Sequence, residues 1–210
     1  MCGRFYVESE DPVLRDFLEQ VNRSPLARQF RERNDRDVPA AGEIAPSAVV
    51  PVIALNRSRE RKAFPMKWGF SVKNPAGKSR LLINARSETA AEKPLFRESW
   101  AQRRCAVPAS RYFEWDHPVL PDGRKKTGQK YAIRPRESGT VWLAGLYRME
   151  EGLPVFTILT RAACGDLSWM HDRMPLMLPE EAVGEWIAPG ADPEKLQKQA
   201  IVSVTFEKTV

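Results

Sequence analysis

The sequence predicts a single α+β domain, residues 1–210, with a curved, partly closed mixed or antiparallel β-sheet core and peripheral helices. A chain of 210 residues suits one domain, because typical domains contain roughly 100–200 residues. Short runs rich in β-branched and aromatic residues begin at Ala48 and continue towards the C-terminus. Regular helices do not separate these runs, which favours an α+β arrangement over repeated βαβ units.

The first predicted element is a helix that begins at Asp11 and Pro12, residue types preferred at the N-cap and at the first helical position. Apolar residues follow at helical spacing: Val13, Leu14, Phe17, Leu18 and Val21. The mixed-charge run Arg28–Asp37 is interpreted as a solvated helix end or loop. Three later segments also favour helices: Ser87–Trp100, Pro179–Ile187 and Asp192–Gln199, the last with Asp192 as its cap.

The predicted strands share short length and β-rich composition. They are Ala48–Leu55, Ala63–Phe70, Leu81–Asn84, Cys105–Val107, Arg111–Trp115, Lys130–Ile133, Val141–Tyr147, Val155–Thr160 and Ile201–Phe206. The polar, lysine-rich segment Pro118–Gly128 lies between two of them and predicts a hairpin loop. No internal repeat interrupts this order, so a single core is expected.

The composition narrows the class of protein. The chain has 33 Lys and Arg against 27 Asp and Glu, and a formal net charge of +6 suits a polyanionic partner. The three cysteines form no CxxC pair, which favours reduced thiols in the cytoplasm. The N-terminus has no apolar signal region, and no apolar run approaches the ~20 residues of a transmembrane helix. A secreted or membrane protein is therefore not expected.

The candidate chemistry begins at Cys2. A small second residue usually leads to removal of Met1, which would expose a Cys2 α-amine with an ordinary pKa of about 7.7–8.0 beside a thiol near 8.5. Only an N-terminal cysteine offers both nucleophiles. Gly3 permits close approach by a ligand, and the Arg4 guanidinium suits phosphate. On its own, however, this tripeptide favours a frayed terminus.

Asn84 and Arg86 form a second candidate. They fall on one face of a strand by its period-two alternation, where the strand runs into a helix start. Ser87 is explained as the helix N-cap, but a cap leaves the other two side chains unexplained. An amide beside a guanidinium suits a sugar–phosphate backbone.

Glu114 and His171 are the candidate proton carriers. Glu114 lies inside an aromatic strand, where it is either an edge residue in solvent or a desolvated acid suited to proton transfer. His171 is one of only two histidines and could equally be a structural hydrogen-bonding residue, while His117 beside the polar loop is interpreted as incidental. Two histidines without clustered cysteines argue against a zinc site, and the chain has no glycine-rich phosphate loop.

Six segments, in this order, resemble the SOS-response-associated peptidase (SRAP) family. They are Met-Cys-Gly-Arg-Phe at 1–5, Lys67-Trp68-Gly69, Ile-Asn-Ala-Arg-Ser-Glu-Thr at 83–89, Arg-Tyr-Phe-Glu-Trp at 111–115, Ile158-Leu159-Thr160 and His-Asp-Arg-Met-Pro at 171–175. The resemblance covers nearly the whole chain. It implies an SRAP-like fold that senses abasic sites in single-stranded DNA during the DNA damage response and couples to them covalently through an N-terminal cysteine.

The resemblance also implies residue roles. Cys2 would be the nucleophile, Asn84 would orient the sugar adduct, and Glu114 and His171 would transfer protons. The implied DNA-binding residues are Arg4 and Arg86 at flanking phosphates, Thr160 near them, and Pro46 and Trp68 along the DNA path. No metal or cofactor is implied. The expected partner is abasic single-stranded DNA, bound by a monomer away from membranes.

The expected product is a five-membered thiazolidine, in which the amine and thiol of Cys2 both bond to the sugar carbon. An imine left open would permit lyase activity, and the peptidase of the family name would correspond to removal of Met1. Two features depart from the family pattern. Glu43 stands two residues before Ala45-Pro46, where family members usually carry Asn, and the tryptophans that some members have after Phe70 are missing.

Two other classes of protein remain as alternatives. An N-terminal-nucleophile amidohydrolase can also begin with Cys-Gly after Met, and its free amine serves as base for its own thiol. Arg4 and the basic charge argue against that class. A noncatalytic single-strand binder using basic and aromatic residues would leave no reason for Cys2, or for Glu114 within an aromatic strand.

Overall fold

The computed structural model describes residues 2–34, 38–73, 77–124, 126–137 and 139–209. The helices in this part of the chain are α1 (Pro12–Asn22), α2 (Pro25–Asn34), α3 (Pro94–Gln102), α4 (Glu180–Ile187) and α5 (Pro193–Lys198), with 3-10 turns at Ser87–Thr89 and Gly165–Leu167. The strands are β1 (Arg4–Val7), β2 (Gly42–Ile44), β3 (Val49–Leu55), β4 (Arg61–Trp68), β5 (Phe70–Lys73), β6 (Ser79–Leu82), β7 (Asn84–Arg86), β8 (Arg104–Ala109), β9 (Arg111–Trp115), β10 (Lys130–Pro135), β11 (Val141–Glu150), β12 (Leu153–Ala162), β13 (Arg173–Pro175), β14 (Met177–Leu178) and β15 (Val204–Lys208).

Five strands close into a barrel. β12 pairs with β11 along one edge and with β4 along the other, and β3 and β8 complete the ring. The β12–β4 pairing, Val155 opposite Lys67, is parallel, whereas the other pairings of the ring are antiparallel. Every residue of β8 is buried, as expected for a strand covered on both faces. This closed, mixed sheet with surrounding helices confirms the predicted α+β class.

A second sheet of five strands runs in the order β15-β10-β9-β1-β2, and each neighbouring pair is antiparallel. Directly opposed residues of paired strands share a face of the sheet. Tyr131 is opposite Glu114, so these two side chains lie on one face. Arg4 is opposite Phe113 and therefore lies on the other face.

The predicted helix starts at Asp11 and Asp192 are confirmed. The Asp11 carboxylate accepts the backbone N–H groups of Val13 and Leu14 at 2.9 and 3.1 Å, which satisfies donors that the first turn leaves unpaired. Asp192 caps α5 in the same way. α4 also begins within one residue of its predicted start.

The prediction of one helix over Ser87–Trp100 is wrong. The structure has a 3-10 turn at Ser87–Thr89 and then α3, which begins at Pro94. Proline lacks a backbone N–H and disfavours helical geometry in the residue before it, and Lys93 is extended, with φ −73° and ψ 125°. Arg86 is the N-cap of that turn and Ser87 is its first residue, so the interpretation of Ser87 as N-cap is wrong as well.

The two polar segments fall largely within the described residues. Pro118–Gly128 joins the paired strands β9 and β10, as expected of a hairpin loop, with Lys125 outside the described residues. Arg28–Asp37 continues α2 as far as Asn34, and residues 35–37 lie outside the described residues. Among the helices described, none is both long and apolar enough to cross a membrane.

Candidate active site around Cys2

Cys2 lies two residues before the start of β1 and is fully buried. β1 is held between two strands, with Phe5 opposite Tyr112 of β9 and Ile44 of β2. Phe5 is itself fully buried and packs against the ring of Trp68, with centroids 5.0 Å apart. The start of the chain from Cys2 onward is therefore anchored in the core, and the frayed-terminus interpretation is wrong.

Trp68 supports this anchor from the barrel. Its ring is fully buried, stacks on Phe156 with centroids 6.3 Å apart, and donates its indole N–H to the carbonyl of Ile83 at 3.0 Å. Such a ring presents no face to solvent, which does not fit the expectation that Trp68 lines a DNA path. In this geometry Trp68 instead connects Phe5 to the residue that precedes β7.

Asn84, the first residue of β7, contacts Cys2 directly. Its side-chain N–H donates to the Cys2 carbonyl at 2.8 Å, while β7 is fixed by parallel pairing with β12 at Ile158. The Asn84 Oδ1 atom is buried and accepts no hydrogen bond from the residues that the structure describes. A buried amide oxygen without a donor is costly, so the site offers a ready acceptor beside Cys2.

The Cys2 thiol is uncharged at neutral pH. Burial, with the negative charge of Glu114 adding to it, raises the pKa of Cys2 to about 12. The thiol donates a long hydrogen bond to the carbonyl of Arg4, at 3.6 Å. Any reaction of this sulfur therefore needs a neighbouring base to accept its proton.

Glu114 is the acid whose negative charge raises the pKa of this thiol. It lies in the middle of the second sheet, is 6% exposed, and its Oε1 accepts the backbone N–H of Trp115 at 3.4 Å. The interpretation of Glu114 as a solvent-exposed edge residue is therefore wrong. Its charge acts on both the Cys2 thiol and the His171 imidazole, which places the three groups in one electrostatic neighbourhood.

His171 lies in the connection between β12 and β13. Its Nδ1 accepts the backbone N–H of Arg173 at 3.0 Å, so in the neutral ring Nε2 carries the proton. Burial holds the pKa of His171 below its ordinary value, and the nearby His117 lowers it further. The charges of Glu114 and of exposed Asp172, 2.7 Å from Nδ1, oppose this without reversing it. His171 is therefore neutral, and able to act as a base, at pH 7.

His117 belongs to the same neighbourhood. Its ring lies 6.1 Å from that of His171 in an edge-to-face arrangement. Its interpretation as incidental is therefore wrong in spatial terms. The sequence contains no local signal for this contact, because the two histidines lie on different connections and meet only in the folded chain.

Arg4 is engaged by an acid. The carboxylate of Glu43 on β2 forms one ion pair with the Arg4 Nε at 3.5 Å and a second with the Lys130 Nζ at 2.6 Å. The Lys130 ammonium also lies over the rings of Phe113 and Trp115, 4.1 and 5.5 Å from their centroids. Glu43 therefore places one carboxylate between two cations that could otherwise bind phosphate.

The remaining sequence-predicted residues occupy different environments. Arg86 is exposed and is paired across β7 and β12 with Thr160. Thr160 is fully buried, and its hydroxyl donates to the carbonyl of Ala85 at 3.4 Å, so it supports the strand that carries Arg86. Pro46 is half-buried in the turn between β2 and β3. The structure thus brings the four candidate catalytic residues together and spreads the candidate DNA contacts around them.

Comparisons with known proteins agree over nearly the full length of the chain. Residues 1–209 match the family described as SOS response associated peptidase (SRAP). The abasic site processing protein YoqW of Bacillus subtilis (strain 168) is 33% identical over 207 residues, covering 94% of this chain and 85% of that protein. The abasic site processing protein YedK of Escherichia coli (strain K12) is 30% identical over 201 residues, covering 89% and 79%. A crystal structure of a Bacteroides thetaiotaomicron protein shares the fold, with a TM-score of 0.71 at 20% identity over 100% of this chain and 92% of that chain.

Proposed function

The chain belongs to the SOS response associated peptidase (SRAP) family, and on that premise we propose that it processes abasic sites in single-stranded DNA by crosslinking to them through Cys2. The observation that carries the proposal is the placement of Cys2: it is fully buried, it accepts a hydrogen bond from Asn84, and it lies within the electrostatic reach of Glu114, whose charge also acts on His171. Two of its relatives carry the name of abasic site processing proteins. The crosslink would shield the damaged strand from breakage.

The reaction begins at the α-amine of Cys2, which becomes free when Met1 is removed. Met1 itself lies outside the described residues. The abasic sugar opens when a base takes its hydroxyl proton and a proton is delivered to the ring oxygen. Neutral His171 and negatively charged Glu114 both start as bases, so the group that takes the hydroxyl proton then becomes the acid that delivers one, and we assign these transfers to His171 and Glu114. The amine lone pair then adds to the aldehyde carbon, and once an acid of the site has donated a proton to the new hydroxyl, its loss as water gives an iminium.

Ring closure uses the sulfur of the same residue. The sulfur lone pair bonds to the iminium carbon, the π electrons return to nitrogen, and the thiol proton passes to a base. The thiol pKa of about 12 means that the proton is still present when the sulfur attacks. Glu114 is assigned as the base that accepts it, because the charge of Glu114 acts on this thiol. The product is a thiazolidine of N, Cα, Cβ, S and the sugar carbon. Losing the iminium removes the electron sink that β-elimination of the strand requires.

The unpartnered Oδ1 of Asn84 fits this product. The Asn84 side-chain amide is already fixed by the hydrogen bond that it donates to the Cys2 carbonyl. Its Oδ1 atom can therefore accept a hydrogen bond from a hydroxyl of the opened sugar. We assign Asn84 to orienting the adduct. Lyase activity would follow when ring closure fails, and the peptidase of the family name would correspond to exposure of Cys2.

A denaturing gel tests the proposed function. Protein mixed with single-stranded DNA containing one abasic site should give a heat-stable band of added mass, and intact DNA should give none. An N-terminal-nucleophile amidohydrolase would release ammonia from an amide substrate and form no DNA adduct. Absence of the adduct with protein shown to begin at Cys2 would overturn the proposal.

Arg86 is expected to contact phosphate. Arg86→Ala should weaken binding to abasic and intact single strands alike, because phosphate contacts carry no base information. The slope of log affinity against log salt should fall by about 0.7 for one lost phosphate contact. Arg4→Ala should change the slope less, since Glu43 already pairs with Arg4. Binding titrations over a range of salt concentrations measure both, and an unchanged slope in Arg86→Ala would show a purely structural role.

Glu43→Gln is expected to strengthen noncovalent binding to single-stranded DNA several-fold. The change frees Arg4 and Lys130 from a competing carboxylate, and each phosphate they gain should raise the salt slope by about 0.7. Glu98→Gln is the matched control, because Glu98 on α3 forms an ion pair at 3.0 Å with Arg103, the residue that follows this helix. This variant should leave the slope unchanged. Weaker binding by Glu43→Gln would show that the carboxylate positions Arg4 for DNA instead of competing for it.

A further inference from the structure

Two aromatic side chains are exposed beside the candidate active site. Trp169 is 53% exposed and Phe206 is 39% exposed. By contrast, the rings of Trp68 and Trp186 are fully buried. Adjacent exposed aromatic rings on a protein of this size commonly mark a surface that binds something.

The two rings form one cluster with Tyr131, and we refer to the three as the Trp169 platform. Trp169 and Phe206 have centroids 5.8 Å apart. Tyr131 stands edge-on to both, 5.4 Å from Trp169 and 6.0 Å from Phe206. The indole N–H of Trp169 donates to the carbonyl of Asp166 at 3.0 Å. The rings are therefore held in place before any ligand arrives, which lowers the entropic cost of binding.

The platform is adjacent to both candidate proton carriers. Tyr131 on β10 is directly opposite Glu114 on β9, and such neighbours have Cβ atoms about 4.5–5.5 Å apart. Trp169 precedes His171 by two residues in the same connection. A ligand that reaches Cys2 between these two groups therefore passes next to the platform.

The chemistry of the platform fits a nucleobase. Aromatic side chains stack on any base, because every base presents a π-face. Asp166 and Asp172 flank Trp169 in sequence, so the ring itself is a poor place for a phosphate. Lys208, opposite Tyr131 on β15, is exposed on the same face and can take the phosphate that accompanies the base.

We propose that the Trp169 platform stacks the base of an intact nucleotide next to the abasic site. The proposal rests on the proposed function. An abasic sugar has no base for an aromatic ring to recognise, so stacking must come from its neighbours in the strand. Holding a neighbouring base would place the sugar at Cys2, and it would favour single strands because a stacked base must leave its duplex partner.

The test measures noncovalent affinity with a tetrahydrofuran analogue of the abasic site, which has no aldehyde and forms no adduct. One strand carries normal bases on both sides of the analogue, and a second has base-free spacers there. Trp169→Ala should weaken binding to the first strand by roughly 5- to 150-fold, the range expected for one stacked base, and should not weaken binding to the second.

Two further variants make the result specific. Trp169→Phe should keep most of the affinity, because it retains an aromatic face, but it should lose the DNA-induced quenching of indole fluorescence. Met149→Ala removes a 51% exposed apolar side chain on β11 and should bind both strands as the wild type does. If Trp169→Ala fails to fold, the affinity and fluorescence results with Trp169→Phe still test the proposal.

Three results would overturn the proposal. These are unchanged affinity of Trp169→Ala for the base-containing strand, an equal loss on both strands, or a concentration-dependent dimer of the wild type that Trp169→Ala abolishes, since the patch would then bind a second copy of the chain. Failure of the proposed function is separate. It would appear as no covalent adduct with a true abasic site, whatever the analogue shows.

Discussion

Cys2→Ala should abolish the heat-stable adduct between the protein and abasic single-stranded DNA. Alanine keeps the α-amine and removes the sulfur that closes the ring, so an imine is the furthest product that the variant can reach. Borohydride should trap that imine, and the strand should break more readily because the electron sink remains. Noncovalent binding should persist. Denaturing gels with and without borohydride measure the heat-stable adduct, the trapped imine and the strand breakage.

Cys164→Ala is the matched control for Cys2→Ala. Cys164 is a free, partly buried cysteine that takes no part in the proposed reaction, so its loss should leave the adduct yield unchanged. A tag left uncleaved before Cys2 should abolish the adduct as completely as Cys2→Ala, because the amine becomes an amide. A stable adduct of normal yield in Cys2→Ala would refute the thiazolidine proposal.

Glu114→Gln should slow crosslinking by about 10²-fold or more, the contribution usual for a positioned acid or base. Glutamine keeps the shape of the side chain and most of its hydrogen bonding but cannot accept the proton of the Cys2 thiol. Reversal of the adduct should slow as well. Affinity for intact single-stranded DNA should change little, because binding needs no proton transfer. Single-turnover crosslinking rates and binding titrations on the same preparation separate the two.

The pH profile separates Glu114 from His171. Because burial holds the pKa of His171 below its ordinary value, the ring loses its proton at a lower pH than a free histidine. The limb of the rate profile that depends on basic His171 should therefore fall only below the ordinary histidine value of about 6.5. His171→Ala should remove that limb. If Glu114→Gln instead loses affinity in parallel with rate, Glu114 is structural.

The parts of the fold with local signals could be predicted from the sequence. Asp11 and Asp192 each precede a proline at a helix start, and β3 is an unbroken apolar run. β1 could not be predicted, because its four residues become a strand only by pairing with β2 and β9. The break before Pro94 follows a local rule, because proline disfavours helical geometry in the residue before it. The residues around the break have a helical composition, which predicts one continuous helix instead.

The candidate site depends on contacts that no sequence window contains. Asn84 reaches the carbonyl of Cys2 from 82 residues away in the sequence, and its role follows only from the family resemblance. The ion pairs of Glu43 with Arg4 and Lys130 join three separate strands. The exposure of Trp169 is also a tertiary property, since its sequence neighbours do not distinguish it from a buried tryptophan.

The most direct test of the central claim asks whether both nucleophiles of Cys2 are bonded to the sugar. An imine with a free thiol and a closed thiazolidine have the same mass, so mass alone cannot separate them. The purified adduct should therefore be denatured, treated with iodoacetamide and borohydride, digested and analysed by mass spectrometry. A thiazolidine predicts an N-terminal peptide that carries the sugar, no carbamidomethyl group on Cys2 and no added hydrogen. A sugar-bearing peptide with an alkylated Cys2 thiol, or one reduced by borohydride, would contradict the account.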